Sequence, residues 1–195
     1  MSAPRTLEPG SRRGRHRVPG PVGRIAAGLA LAGVVVLAGA ALAQVAGVRI
    51  NTTHSIPVGL YRVSRAPAMP GAYVLVCPPP TPLFDEARAR GYLGAGFCPG
   101  GYGYLMKRLV AAQGDEIAVS DVGVSVNGVL LALTAPRAAD VGGRPLPRWR
   151  TGPYRLGASE VLLMSEISAT SFDARYFGPL PRAQIVTALA PVLTW

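Results

Sequence analysis

The chain has 195 residues, 20 Lys+Arg against 10 Asp+Glu, and a formal net charge of +10. At 49% hydrophobic and 15% charged it holds enough apolar surface to fold, so a disordered chain is excluded. No Gly or heptad period supports collagen or coiled coil, and two cysteines are too few for a disulfide scaffold or a Cys-based zinc site.

Residues 1–24 hold six Arg and one Glu with no apolar period, which predicts a basic cytoplasmic arm. Residues 25–48 carry no charge, and Gln44 is the one strongly polar side chain among them. As a helix this stretch is ~36 Å long, enough to cross a hydrocarbon core of ~30 Å. The Arg cluster before it predicts a cytoplasmic N-terminus, leaving residues 49–195 outside the cytoplasm. A cleaved secretory signal is the alternative. Ala41-Leu42-Ala43 resembles a cleavage site and Arg12-Arg13 a twin-arginine signal, but the apolar run exceeds the usual ~7–15 residues of a signal sequence. A mature chain starting at Gln44 would decide against the anchor.

The remaining 147 residues predict a mainly β domain. Strands are expected at Tyr73–Val76, Tyr104–Ala112, Glu116–Val119, Val122–Val126, Val129–Leu131, Val161–Met164 and Ile185–Leu193. Asn127-Gly128 signals a type I′ hairpin turn. Leu83–Arg90 is the one short helix expected, 134–153 reads as loop, and glycine-rich 91–104 reads as a mobile loop rather than a phosphate cradle. In an oxidising compartment Cys77 and Cys98 could pair; two free thiols are the alternative. Residues 49–195 hold 14 basic and 9 acidic side chains with no basic stripe interleaved with aromatics, so nucleic acid is not the expected partner. The charge is compatible with anionic membrane lipid.

Nineteen of the twenty basic residues are Arg, and the single Lys is Lys107. Arg keeps its charge almost everywhere, whereas a buried Lys can lose its proton and act as a base. Strand alternation puts Lys107 on a face with Leu105, Leu109 and Ala111, where desolvation would lower its pKa. A snorkelling edge lysine is the bland alternative. Ser55 precedes Ile56-Pro57 just beyond the apolar helix, in a segment stiffened by proline, and could be a nucleophile; a Ser before Xaa-Pro is otherwise an ordinary turn residue. His54 adjoins Ser55 but points to the opposite face of an extended segment, and His16 lies in the basic arm. The chain therefore lacks a convincing histidine base, and neither a metal site nor a cofactor is expected. Ser55 and Lys107 are 52 apart, too far for a Ser-x-x-Lys motif.

Three ordered blocks resemble the membrane-anchored signal peptidases that use a Ser-Lys dyad, and among them the TraF-type peptidases of conjugative transfer systems. These are Ser55-Ile56-Pro57-Val58-Gly59-Leu60-Tyr61, Tyr104 to Asp115 around Lys107, and Ser171-Phe172-Asp173-Ala174-Arg175-Tyr176-Phe177-Gly178. The resemblance implies a signal-peptidase-like coiled β-sheet domain behind one transmembrane helix, in a bacterial inner membrane with its C-terminal domain periplasmic. It implies a serine endopeptidase with Ser55 as nucleophile and Lys107 as general base. Thr53 and the Ser55 N–H would form the oxyanion hole and Ser171 would orient Lys107; Asp173 resembles the family's essential aspartate and would count as a third catalytic residue, paired with Arg175 on the same face of an extended segment. The implied partner is an exported pilin precursor or another exported preprotein, with hydrolysis and cyclisation both open. A general signal peptidase and a non-enzymatic, membrane-tethered scaffold of a secretion channel are the alternatives. Ala174 stands where the family pattern has Ser, and Ser165-Glu166-Ile167 where housekeeping enzymes have Gly-Asp-Asn; the latter favours the conjugative branch.

Overall fold

A computed structural model describes residues 20–149 and 151–195. Residues 1–19, most of the expected basic arm, lie outside it. Helix α1 spans Pro21–Val45, with no residue buried, no acidic residue in its first turn and no basic residue in its last. Apart from Arg24 near its start and Gln44 near its end it carries no strongly polar side chain, and it is long and apolar enough to cross a membrane. It starts four residues before the expected 25 and stops three before the expected 48. Hydropathy locates the apolar run, but proline and glycine set the ends. Pro21 suits a first helical position, and Gly47, at φ +80°, breaks the helix on its C-terminal side.

The second compact unit, from Ala43 onward, is mainly β, as expected. In chain order it contains β1 (Val48–Asn51), β2 (Gly59–Ser64), β3 (Tyr73–Val76), α2 (Pro82–Ala89), β4 (Ala95–Cys98), β5 (Leu105–Ala111), β6 (Glu116–Val119), β7 (Val124–Val126) and β8 (Val129–Leu130). After these come β9 (Thr151–Arg155), β10 (Glu160–Met164), α3 (Ala174–Phe177), β11 (Leu180–Pro181) and β12 (Ile185–Thr194). Seven strands form one sheet in the order β1-β2-β12-β3-β5-β10-β11, with every neighbouring pair antiparallel. Four more form a second sheet, β8-β7-β6-β9. Long β12 bridges β2 and β3, and its register slips near Pro191, which has no N–H to give to a ladder. Asn127 and Gly128 take φ +50° and +80°, the double positive φ that a type I′ turn requires.

Three expectations are corrected. Residues 91–104 are not one mobile loop: β4 lies there, bridges to Tyr102, and ends at Cys98, whose sulfur is bonded to Cys77. Strand β9 begins inside the stretch read as loop. Its Pro153 hid it, yet β9 is an edge strand, where a missing donor is tolerated. The segment after Asp173 is not extended but a helical turn, capped when the Asp173 carboxylate accepts the Arg175 N–H.

The main core gathers Val74, Val76, Phe84, Tyr102, Leu109, Ile117 and Leu162 among others, and a smaller cluster joins Ile56, Tyr61, Leu75 and Leu189. Both faces of β3 are thereby covered. Its neighbour β5 is also flanked on both edges, by β3 and β10. A polar side chain on the face of β5 that carries Leu109 and Ala111 is consequently cut off from water, whereas Arg108 on the opposite face is exposed.

Candidate active site

Lys107 is that side chain. It pairs across to Val74 and is 1% exposed. Its Nζ donates to Ser55 Oγ at 2.9 Å and to Ser171 Oγ at 2.6 Å, and the two hydroxyl oxygens are 3.3 Å apart. Burial pushes its pKa down to about 8; the Asp173 carboxylate opposes this and the Arg175 guanidinium adds to it. A pKa there leaves an appreciable share of neutral amine near neutral pH, which an exposed lysine never has.

Ser55 sits in the loop joining β1 to β2, and that loop is built around Asn51, a residue the sequence did not single out. Asn51 is 3% exposed. Its Nδ2 donates to the carbonyls of Thr53 (2.8 Å), Ile56 (2.9 Å) and Pro57 (3.0 Å). Its Oδ1 accepts from the Thr53 N–H at 3.1 Å and the Thr53 hydroxyl at 2.9 Å. Every hydrogen-bonding atom of one amide thus holds the backbone on both sides of Ser55. Ile56 anchors the loop from below in the smaller core cluster, and Tyr61 donates its hydroxyl to Pro57 O at 2.6 Å. Gly59 is required by close approach: a Cβ there would lie 2.1 Å from the Leu193 carbonyl oxygen. Thr53 is exposed, and its hydroxyl proton is directed at Asn51 rather than at the space above Ser55.

Ser171 lies on the turn between β10 and α3. Asp173 and Arg175 are both fully buried and doubly bonded to each other. Arg175 also donates to the carbonyls of Leu133 (3.0 Å), Ala169 (3.1 Å), Ser168 (3.3 Å) and Ser165 (3.4 Å), while Asp173 accepts the Ser165 N–H at 3.0 Å. One buried ion pair therefore fixes the whole turn that presents Ser171. Beside Ser55, residues Thr52, His54, Pro57, Val58, Ile167 and Trp195 line an open cleft of about 450 Å³. His54 faces this cleft and makes no hydrogen bond to Ser55 among the described residues.

The structure thus brings Ser55, Lys107 and Ser171 within hydrogen-bond reach, and Asp173 and Arg175 just behind them. Only Thr53 is turned elsewhere. A sequence signal for Asn51 existed in principle, since Asn at a strand end favours side-chain to backbone bonding. Nothing in the string, however, says that five of its hydrogen bonds converge on one loop.

The chain resembles known proteins over most of its length. The family described as signal peptidase, peptidase S26, matches residues 23–195. A protein named plasmid transfer protein TraF, from Escherichia coli, is 62% identical over 172 residues, covering 88% of this chain and 97% of that protein. A conjugal transfer protein TraF from Agrobacterium fabrum is 34% identical over 169 residues, 86% of this chain and 94% of its own length. Among solved structures, a signal peptidase I from Enterococcus faecalis superposes with a TM-score of 0.37 at 14% identity, covering 65% of this chain and all of that one.

Proposed function

The chain belongs to the signal peptidase family, peptidase S26, and on that premise we propose that it is a membrane-anchored serine endopeptidase whose Ser55–Lys107 dyad processes an exported pilin precursor of a conjugative transfer system. The observation that carries this reading is the sole lysine of the chain, held dry with its Nζ 2.9 Å from the Ser55 hydroxyl. The conjugative role is supported by relatives whose names are plasmid and conjugal transfer proteins.

In this mechanism the neutral Lys107 amine takes the Ser55 Oγ proton as Oγ bonds to the scissile carbonyl carbon. Ser171 accepts one N–H of that amine, which aims the lone pair at Ser55. The oxyanion is met by the Ser55 backbone N–H and by the Thr53 hydroxyl, which turns away from Asn51 to reach it; such a donor is worth ~2.7–4 kcal/mol. The ammonium then gives its proton to the leaving amine as the C–N bond breaks, leaving an ester on Ser55. A water, or the amino end of the product itself, resolves the ester and returns its proton through Lys107. Asp173 and Arg175 act as positioning residues, because they touch the Ser171 turn and not the reacting atoms.

The apolar helix is the anchor in this reading, in the bacterial inner membrane, with the β domain on the periplasmic side. The Cys77–Cys98 bond supports an oxidising compartment. Mass spectrometry of a co-expressed pilin precursor is the direct test. The precursor should be shortened by the native chain and left intact by Ser55→Ala and by Lys107→Arg. Arg keeps charge and bulk but cannot serve as a base, so processing by Lys107→Arg would overturn the mechanism.

A further inference from the structure

Phe172 lies between Ser171 and Asp173, yet the chemistry above makes no use of it. Its ring is stacked on Tyr176, with centroids 5.8 Å apart and planes 6° apart, and lies 5.3 Å from the ring of Tyr92. These three rings form the floor of an open pocket of about 340 Å³, which Leu146 and the exposed Val141 also line. The pocket shares no lining residue with the cleft beside Ser55.

Its rim is cationic. Arg90 is matched by Glu86. Arg144 is matched by Asp140, which also accepts the Tyr92 hydroxyl, and these partners hold the Asp140 carboxyl well below the usual carboxylate range. The carboxylate is therefore already ionised and engaged. Arg137 is left over. Its side chain is exposed at the pocket, and its guanidinium has no partner among the described residues, although its backbone N–H donates to the Tyr176 hydroxyl at 3.2 Å. An aromatic floor beneath one unmatched guanidinium suits an apolar side chain next to a single carboxylate. It offers too little unmatched charge for a polyphosphate or a nucleic-acid backbone.

We propose that this pocket is a second peptide-binding site, which takes a segment of the exported substrate in which an apolar side chain adjoins an acidic residue. The apolar side chain lies on Phe172 and Tyr176, and the carboxylate pairs with Arg137. This assignment of the occupant rests on the peptidase reading; the binding itself does not. The site's floor is continuous in sequence with Ser171, so an occupant there grips the substrate at a point removed from the bond being cut.

The test is calorimetric titration of the full-length chain in neutral detergent with the blocked tetrapeptide Gly-Phe-Glu-Gly. Two controls are its Gln analogue, which lacks the charge, and Gly-Ala-Glu-Gly, which lacks the ring. We expect saturable binding of the first at or below ~1 mM and at least ~10-fold weaker binding of both controls. Arg137→Glu should weaken the Phe-Glu peptide by ~10-fold or more and should instead accept Gly-Phe-Lys-Gly. Val141→Arg should block the pocket. Equal binding of the Glu and Gln peptides, an unchanged Arg137→Glu, or no binding up to ~5 mM would each overturn the proposal. Ser55→Ala should bind as well as the native chain, so loss of the peptidase reading and loss of this site are distinguishable.

Discussion

Asp173 and Arg175 are two residues apart and meet through paired hydrogen bonds, Nε to Oδ1 at 2.7 Å and Nη2 to Oδ2 at 2.9 Å, with neither side chain exposed. Their charges act on Lys107 with opposite sign. An unmatched aspartate behind the amine would favour its protonated form; the guanidinium opposes that field and acts in the same direction as desolvation. Arg175→Met should therefore do two things. Stability should fall by about 3–5 kcal/mol, since one partner of a buried pair is left uncompensated, which urea denaturation measures. In the protein that remains folded, the rise of activity with pH should move to higher pH.

On the proposed mechanism the native chain should itself show a rate that climbs as pH rises through about 8, because a lysine base must be neutral. Stability should follow the same direction. The unfolded lysine titrates near 10.5, above its folded value, so between about 8 and 10.5 the unfolded chain binds more protons and folding becomes more favourable as pH rises. Denaturant midpoints across that window check the sign.

Replacing the buried amine should separate stability from activity. Lys107→Met removes a desolvated cation at neutral pH and should stabilise the domain by about 1–3 kcal/mol, while substrate processing disappears. An unchanged or lowered denaturation midpoint at pH 7 would show that the hydrogen bonds to Ser55 and Ser171 outweigh the burial cost.

Asn51→Ala should leave three carbonyls and the Thr53 donors of the Ser55 loop without their partner, at a cost of about 1–3 kcal/mol. The loop should lose its fixed geometry, and kcat/KM should drop by at least ~10-fold, since small displacements of a nucleophile are costly. Asn51→Asp keeps the acceptor for Thr53 but sets a buried carboxylate oxygen against three carbonyl oxygens, so it should be at least as impaired as Asn51→Ala in steady-state kinetics.

The Cys77–Cys98 bond closes a separation of 21 residues between the end of β3 and β4. Its loss in a Cys77→Ser/Cys98→Ser double variant should cost about 3 kcal/mol and lower Tm by roughly 6–12 °C. Neither cysteine touches Ser55, Lys107 or Ser171, so activity at low temperature should persist.

The sequence made the strands with continuous or alternating apolar residues legible almost to the residue, as at Tyr73–Val76 and Glu116–Val119. Elements whose signal is masked by glycine or proline were not legible: β4 starts Ala95-Gly96, and β9 contains Pro153. Lys107 could be singled out because it is the sole lysine and falls on an apolar strand face. Ser55 could be noticed beside Ile56-Pro57, but its partnership with Lys107, and any role for Ser171 and Asp173, came only through the resemblance of their blocks, since local pattern says nothing of contacts 64 and 116 residues apart. Asn51 and the helical turn after Asp173 depend on where hydrogen bonds close in three dimensions. That information is not periodic, so no pattern along the chain carries it.

A chain with one lysine has one side-chain ammonium in its whole spectrum. Growth on lysine enriched with nitrogen-15 at the ε position would place a single resonance at the heart of the site, free of overlap from any other residue. Its frequency would follow the proton on and off that nitrogen directly, in detergent or in bilayers, without a substrate and without any chemical tag.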